Sequence, residues 1–215
     1  MLQIQDLRAA APQPVKNAYR RWRHRLGTDI HSEIDRVALR HIARYERAAE
    51  YVGGRSVLDV ACGSGYGSLL MSTAKSYVGI DLDPRPLKSA RLQYPEFDFR
   101  QGSIYELPFE VATFDAVTSF ETLEHVDNPE LAMSEIERVL RPGGVLIGSI
   151  PINHPDLIYH FRPYAAAEAY GILTSTRSLT VDNIQLQHDL TFVPLDLGDL
   201  ASVPDGTMFA VLNKR

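Results

Sequence analysis

The sequence predicts an α/β fold, a doubly wound and mostly parallel sheet with helices on both faces. Three observations carry that prediction. Val57-Leu58-Asp59-Val60 is a short apolar run that leads into a glycine turn at Gly63, Gly65 and Gly67, as a buried strand feeding a turn does. A second run, Tyr77-Val78-Gly79-Ile80, ends in Asp81, roughly 20 residues beyond the turn, as in a dinucleotide-type βαβ unit. Further short runs then alternate with helical stretches, the pattern of a parallel sheet covered on both sides.

The elements follow in order. Ser32 and Asp35 resemble a capping box. They open a helix with Ile34, Val37, Ala38, Ile42, Ala49 and Val52 on its apolar stripe and His41, Arg44 and Tyr45 on its polar side. Gly53-Gly54 stop it. Strands are expected at 56–60, 77–81, 97–101, 114–120 and 144–150, with a helix at 66–74 after the glycine turn. Asp83-Pro84 and Asn128-Pro129-Glu130 each set a cap residue before a first-turn proline. The helix after Asn128 runs to Leu140, where Arg141-Pro142-Gly143-Gly144 stops it. Two more strands are expected near 179–187 and 207–213.

Composition narrows the class. The length of 215 residues fits one domain with a sizeable core. A net charge of −5 argues against a generally nucleic-acid-coating protein. The one cysteine, Cys62, excludes an intrachain disulfide and a Cys-rich zinc site. No run is long enough for a signal peptide or a membrane span, so a cytoplasmic protein is the expectation. Lys16, Arg20, Arg21, Arg23 and Arg25 cluster around Tyr19 and Trp22. They read as a solvated helix face, with a nucleic-acid or acidic-lipid contact as the alternative. No motif gives the oligomeric state.

The chemistry concentrates after the strands, where open α/β sheets bind ligands. A phosphate-cradling loop wants backbone N–H groups and no nearby carboxylate. Asp59, four residues ahead of Gly63, suits instead a ligand with a positive end, such as the ammonium and sulfonium of S-adenosylmethionine. Asp81 is placed to accept hydrogen bonds from both ribose hydroxyls.

The chain here resembles the class I S-adenosylmethionine-dependent methyltransferases, in particular the group that includes the ubiquinone and menaquinone methylases. After the glycine turn, the likeness runs through Gln101-Gly102-Ser103-Ile104-Tyr105-Glu106-Leu107-Pro108-Phe109, similar to the family's GDAxxLPF segment. It continues through the stretch from Phe114 to Val126 and through Arg141-Pro142-Gly143-Gly144-Val145-Leu146, covering about residues 33 to 151. It implies a Rossmann-like, seven-stranded sheet whose last strand is antiparallel, beneath an N-terminal helical cap. The expected organisation is a cap at 1–52, a cofactor-binding core at 53–150, and an acceptor-side insert with the last strands at 151–215.

The cofactor implied is S-adenosyl-L-methionine, leaving S-adenosyl-L-homocysteine as product. Asp59, Ala61, Gly63, Ser64 and Gly65 would hold its methionine portion and Asp81 its ribose. Leu82 would pack on the adenine, Ser103 and Ile104 would meet its polar edge, and Phe120 and Glu121 would close the pocket. The helix bearing His41, Arg44 and Tyr45 would cover the methionine carboxylate. The family usually has Asp where this chain has Ser103, whose hydroxyl still accepts from the adenine amino group.

Methyl transfer needs alignment and sometimes a base. The candidate bases are His125 and, second, His154. His160, Arg162 and Tyr164 lie in the insert that shapes the acceptor site. A small-molecule or sugar acceptor is expected, with oxygen, nitrogen or carbon as the atom methylated. Ser119-Phe120-Glu121-Thr122 stands where amino-group DNA and protein-glutamine methylases carry Asn/Asp-Pro-Pro-Tyr/Phe, and no metal cluster is expected. Two alternatives are a non-catalytic cofactor-binding partner subunit and a nicotinamide-dependent oxidoreductase. The second would put its third fingerprint glycine at Ser68.

Overall fold

The computed structural model describes residues 32–153 and 164–215, with side chains of the first helix described from Leu39 onward. The first helix among these residues, α1 (Ser32–Ala48), continues as a 3₁₀ turn to Tyr51. Eight strands form one sheet: β1 (Ser56–Val60), β2 (Ser76–Asp81), β3 (Asp98–Gln101), β4 (Phe114–Phe120), β5 (Leu140–Ile152), β6 (Leu179–His188), β7 (Thr191–Pro194) and β8 (Gly206–Lys214). The other α-helices among the described residues are α2 (Pro84–Gln93), α3 (Pro129–Val139) and α4 (Ala166–Leu173). The strand order is β3-β2-β1-β4-β5-β8-β6-β7. Neighbours from β3 through β5 are parallel, β8 runs antiparallel to β5 and to β6, and β7 is antiparallel to β6. The Rossmann-like expectation holds, with eight strands in place of seven. The extra one is the short edge β7, whose Thr-Phe-Val-Pro sequence carries almost no periodicity.

Both proline-marked starts are real caps. Asp83 Oδ1 accepts the Arg85 N–H at 2.9 Å, and Asn128 Oδ1 accepts the Leu131 N–H at 3.0 Å. The expected helix at 66–74 reduces to a 3₁₀ turn, Tyr66–Leu69, followed by turns. Two contacts explain this. Gly67 lies under the Tyr45 ring, so closely that a Cβ would stand 2.3 Å from it. The Ser68 hydroxyl donates to the Gly65 carbonyl at 2.7 Å, taking an acceptor that a regular helix would use.

Period-two alternation sorts the strand side chains onto two cores. Val57, Tyr77, Ala116, Val145, Ile147 and Phe209 face α1 and α2; Leu58, Val60, Ile80, Val117, Leu146 and Met208 face α3 and α4. In α3, Ala132, Met133, Ile136 and Val139 are wholly buried, and burying each large apolar side chain stabilises by about 1.5–3 kcal/mol. The same alternation turns Asp59 toward α1 and Val60 toward α3 and α4. That difference governs the site.

Candidate active site

The C-terminal ends of the parallel strands enclose a cavity of about 430 Å³, within the usual range for small-ligand sites. It sits at the switch point, where β1 has β2 on one side and β4 on the other. Val60 and Ala61 come from the end of β1, and Ile80, Asp81 and Leu82 from β2. Gly102, Ser103, Ile104 and Tyr105 follow β3, while Glu121, Thr122, His125, Val126 and Asp127 follow β4. Strands β1, β4 and β5 each pass into a non-glycine residue with positive φ: Ala61 (60°), Glu121 (49°) and Asn153 (54°). Such residues are strained by roughly 1–3 kcal/mol each and cluster at functional sites.

Asp81 is fixed from two sides. Its Oδ2 accepts the Gly63 N–H at 2.8 Å and its Oδ1 the Asp83 N–H at 2.9 Å. Each oxygen retains capacity for another donor. Gly65, at φ 77°, makes the turn that aims Gly63, and a Cβ there would stand 2.6 Å from the Phe99 ring. The glycine turn therefore acts on the cavity through the Asp81 carboxylate. Ser64 and Gly65 are residues of the turn and are not among those lining the cavity.

Asp59, expected at the ligand's positive end, is placed elsewhere. It is wholly buried, and its carboxylate accepts hydroxyls from Tyr45 (2.9 Å), Tyr77 (2.6 Å) and Thr118 (2.7 Å). Thr118 is its register partner on β4. Burial raises the Asp59 pKa to about 6, against the lowering effect of the three hydroxyls. The Tyr45 and Tyr77 hydroxyls are pushed up in turn, first by burial and then by Asp59. Phe120, expected to close the pocket, also lies behind it, edge-on to Tyr45 and stacked on Phe209.

Helix α1 was expected to keep His41, Arg44 and Tyr45 on a polar face, yet Arg44 and Tyr45 are buried. Arg40, Arg44 and Arg47 bond to Asp189, Gln187 and Gln185, joining α1 to β6 and the residue after it. Arg44 Nε donates to Gln187 at 2.6 Å and Nη2 to Thr207 at 3.2 Å. Its Nη1 stands 3.5 Å from Glu121 Oε1 without a hydrogen bond. His41 is pushed down to about pH 4 by burial and by Arg44, so it is neutral near pH 7.

Beyond β4, a 3₁₀ turn (Leu123–His125) presents His125 to the cavity, with Nε2 3.7 Å from Glu124 Oε1. Glu124 is buried, and neither of its carboxyl oxygens accepts a hydrogen bond. Burial and Glu121 raise its carboxyl well above the usual range, favouring the neutral acid. At the other end, Ser103 Oγ accepts the Tyr105 N–H at 3.2 Å. The Tyr105 hydroxyl bridges the walls, donating to Asp127 and accepting the Asn128 N–H at 3.0 Å.

Of the residues expected at the site, Ala61, Asp81, Leu82, Ser103, Ile104, Glu121 and His125 meet around one cavity, with Gly63 behind Asp81. His154, His160, Arg162 and the basic N-terminal cluster lie outside the described residues. Tyr164, expected to shape an acceptor site, is buried in the core beneath α3 and α4. Sequence reading did not single out Tyr105, Thr122 or Asp127; their signal is proximity to Ser103 and to the end of β4. Among the described residues no group of three or more His, Cys, Asp or Glu could hold a metal ion. No helix there is long and apolar enough to cross a membrane.

Comparison with known proteins agrees with this geometry. Residues 58–148 match the methyltransferase domain family. A probable S-adenosylmethionine-dependent methyltransferase of Mycolicibacterium smegmatis is 34% identical over 166 residues, 73% of this chain and 65% of that protein. A similarly described protein of Mycobacterium tuberculosis is 34% identical over 175 residues, 77% of this chain and 64% of the relative. The chain thus spans slightly less than two-thirds of their length. A phthiotriol/phenolphthiotriol dimycocerosates methyltransferase of Mycobacterium leprae is 37% identical over 113 residues, 49% of this chain and 42% of the other. A TehB-like methyltransferase structure from Corynebacterium glutamicum shares the fold, with a TM-score of 0.64 and 22% identity over 94% of this chain and 98% of that one. With domain match, relatives and strand order in agreement, residues 58–148 form a domain of the class I S-adenosylmethionine-dependent methyltransferase kind.

Proposed function

We propose that this chain is an S-adenosylmethionine-dependent methyltransferase that methylates a small-molecule, sugar or secondary-metabolite acceptor by in-line displacement. The observation that carries the reading is Asp81, held by two backbone N–H groups at the mouth of a cavity of about 430 Å³. The residues fit the cofactor. Asp81 takes the ribose hydroxyls; Ile80, Leu82 and Ile104 give the base an apolar slot, with Ser103 at its edge.

For the methionine carboxylate, the geometry favours Arg44 over its two neighbours. Tyr45 is committed to Asp59, and neutral His41 brings no charge. Arg44 is a buried cation with one guanidinium nitrogen lacking a hydrogen bond. Asp59 acts indirectly, by clamping α1 to the sheet through Tyr45. Gly63, Ser64 and Gly65 shape the turn, and Phe120 backs it.

S-adenosylmethionine supplies a sulfonium-activated methyl group. The chain contributes alignment, worth on the order of 7–11 kcal/mol when reacting atoms are well placed. His125, at the cavity wall, removes the acceptor's proton where one must leave, with His154 as the second candidate base. The phthiotriol and phenolphthiotriol dimycocerosates named for relatives are one candidate acceptor class.

Calorimetric titration with S-adenosylhomocysteine tests the cofactor reading. Micromolar binding that Asp81→Ala abolishes is expected; absence of binding would remove it. Transfer of a labelled methyl group to a trial acceptor, lost in His125→Ala, tests the base.

A further inference from the structure

The base edge of the cavity carries a hydroxyl. Ser103 is the second residue after β3, beside the end of β2: Gly102 N–H donates to the Asp81 carbonyl at 3.0 Å, tying the ribose and base ends together. Ser103 Oγ accepts the Tyr105 N–H at 3.2 Å, which fixes the oxygen but leaves the hydroxyl proton to rotate. Such a group offers a lone pair to a donor or its proton to an acceptor. A carboxylate offers only acceptors. The acid on the facing wall, Asp127, is already engaged by the Tyr105 hydroxyl.

Resting on the cofactor reading above, we propose that Ser103 sets an unusually permissive reading of the purine 6-position. Adenine presents an amino donor there and hypoxanthine a carbonyl acceptor. The Ser103 hydroxyl satisfies the 6-position of either by turning its proton, so the 6-oxopurine form loses only what the change at N1 from acceptor to N–H costs, and the site accepts it alongside the adenine form. Ser103→Asp would narrow that tolerance, because a carboxylate facing a carbonyl oxygen leaves two acceptors opposed.

The test is calorimetric titration of the whole chain with S-adenosylhomocysteine and S-inosylhomocysteine. The native chain is expected to prefer the adenosyl ligand by no more than about tenfold, and Ser103→Asp to widen that preference by about tenfold or more. Asp127→Asn should leave the ratio unchanged. A native preference beyond about a hundredfold overturns the proposal. So does a ratio that Ser103→Asp leaves alone, or one that follows Asp127→Asn instead. Folding of each variant is checked by its affinity for the adenosyl ligand. Failure of the native chain to bind either ligand would remove the cofactor reading itself, a different result from strong discrimination.

Discussion

Asp59 and Asp81 stand on neighbouring parallel strands, each near its strand's C-terminal end, yet the fold gives them opposite surroundings. Asp59 is sealed among three hydroxyls. Asp81 faces a cavity and is held by two backbone N–H groups. Asp59 lies within β1 on the face packed by α1, whereas Asp81 is the last residue of β2 and lines the cavity. An acid near a strand end is therefore a ligand group or a structural anchor according to its distance from that end.

Exchanging each acid for alanine separates the roles. Asp59→Ala strands three buried hydroxyl donors and should lower stability by about 3–5 kcal/mol, read as a fall in the denaturation midpoint. Asp81→Ala should leave the midpoint within about 1 kcal/mol, because its surroundings are already half open. It should instead weaken S-adenosylhomocysteine by about a hundredfold, through two lost charge-assisted hydrogen bonds. If both variants lose binding and stability alike, the contrast drawn between the two acids is wrong.

Protonation sharpens the same contrast. Asp59 has its pKa raised from 3.8 to about 6, so the stabilisation it contributes is complete below about pH 4 and is lost as pH rises through 6. His41 is lowered from 6.5 to about 4, so its contribution has the opposite sign: stability is lost as pH falls from 6.5 toward 4. Each shift corresponds to about 3 kcal/mol, and in the native chain the two largely cancel. Relative to the native chain, Asp59→Asn should gain stability between pH 4 and 6.5, and His41→Gln should lose it. Unfolding curves at a series of pH values would show slopes of opposite sign; slopes of the same sign would refute the assignment.

Arg44 tests whether α1 belongs to the site or only to the scaffold. Arg44→Gln can keep a hydrogen bond toward Gln187 while losing the charge near Glu121. It should weaken S-adenosylhomocysteine by about tenfold. Adenosine, which has no carboxylate, should bind as before. Equal weakening of both ligands would make Arg44 part of the scaffold.

How much of this was legible depended on how local the cause was. The parallel strands were legible because strands buried on both faces read as apolar runs. The starts of α2 and α3 were legible because each cap is written within four residues, as Asp83 and Asn128 show. The direction of the Asp59 carboxylate was not, since it is set by Tyr45, Tyr77 and Thr118, on α1, β2 and β4. Nor was the burial of Arg44, which rests on Gln187 and Thr207 far along the chain. Seven of the expected site residues gather at the cavity because the residues just after each parallel strand converge at the switch point. Of those that did not, Asp59 and Phe120 lie on the face that alternation turns toward α1, and Ser64 and Gly65 lie in the turn after β1.

The smallest expected effect comes from Ala61, the residue that follows β1 at the edge of the cavity. Its φ of 60° is a conformation that glycine adopts without strain. Ala61→Gly relieves about 1–2 kcal/mol in the folded state and adds about 0.5–1 kcal/mol of unfolded-chain entropy, leaving a net gain near 0.5 kcal/mol. Binding should move the other way. Ala61 lines the cavity, and a glycine there must be ordered by the ligand, weakening S-adenosylhomocysteine by about two- to fivefold. A higher denaturation midpoint with weaker binding would show that the strain after β1 shapes the cavity. A higher midpoint with unchanged binding would show that the strain is incidental and that the Asp81 side alone positions the ligand.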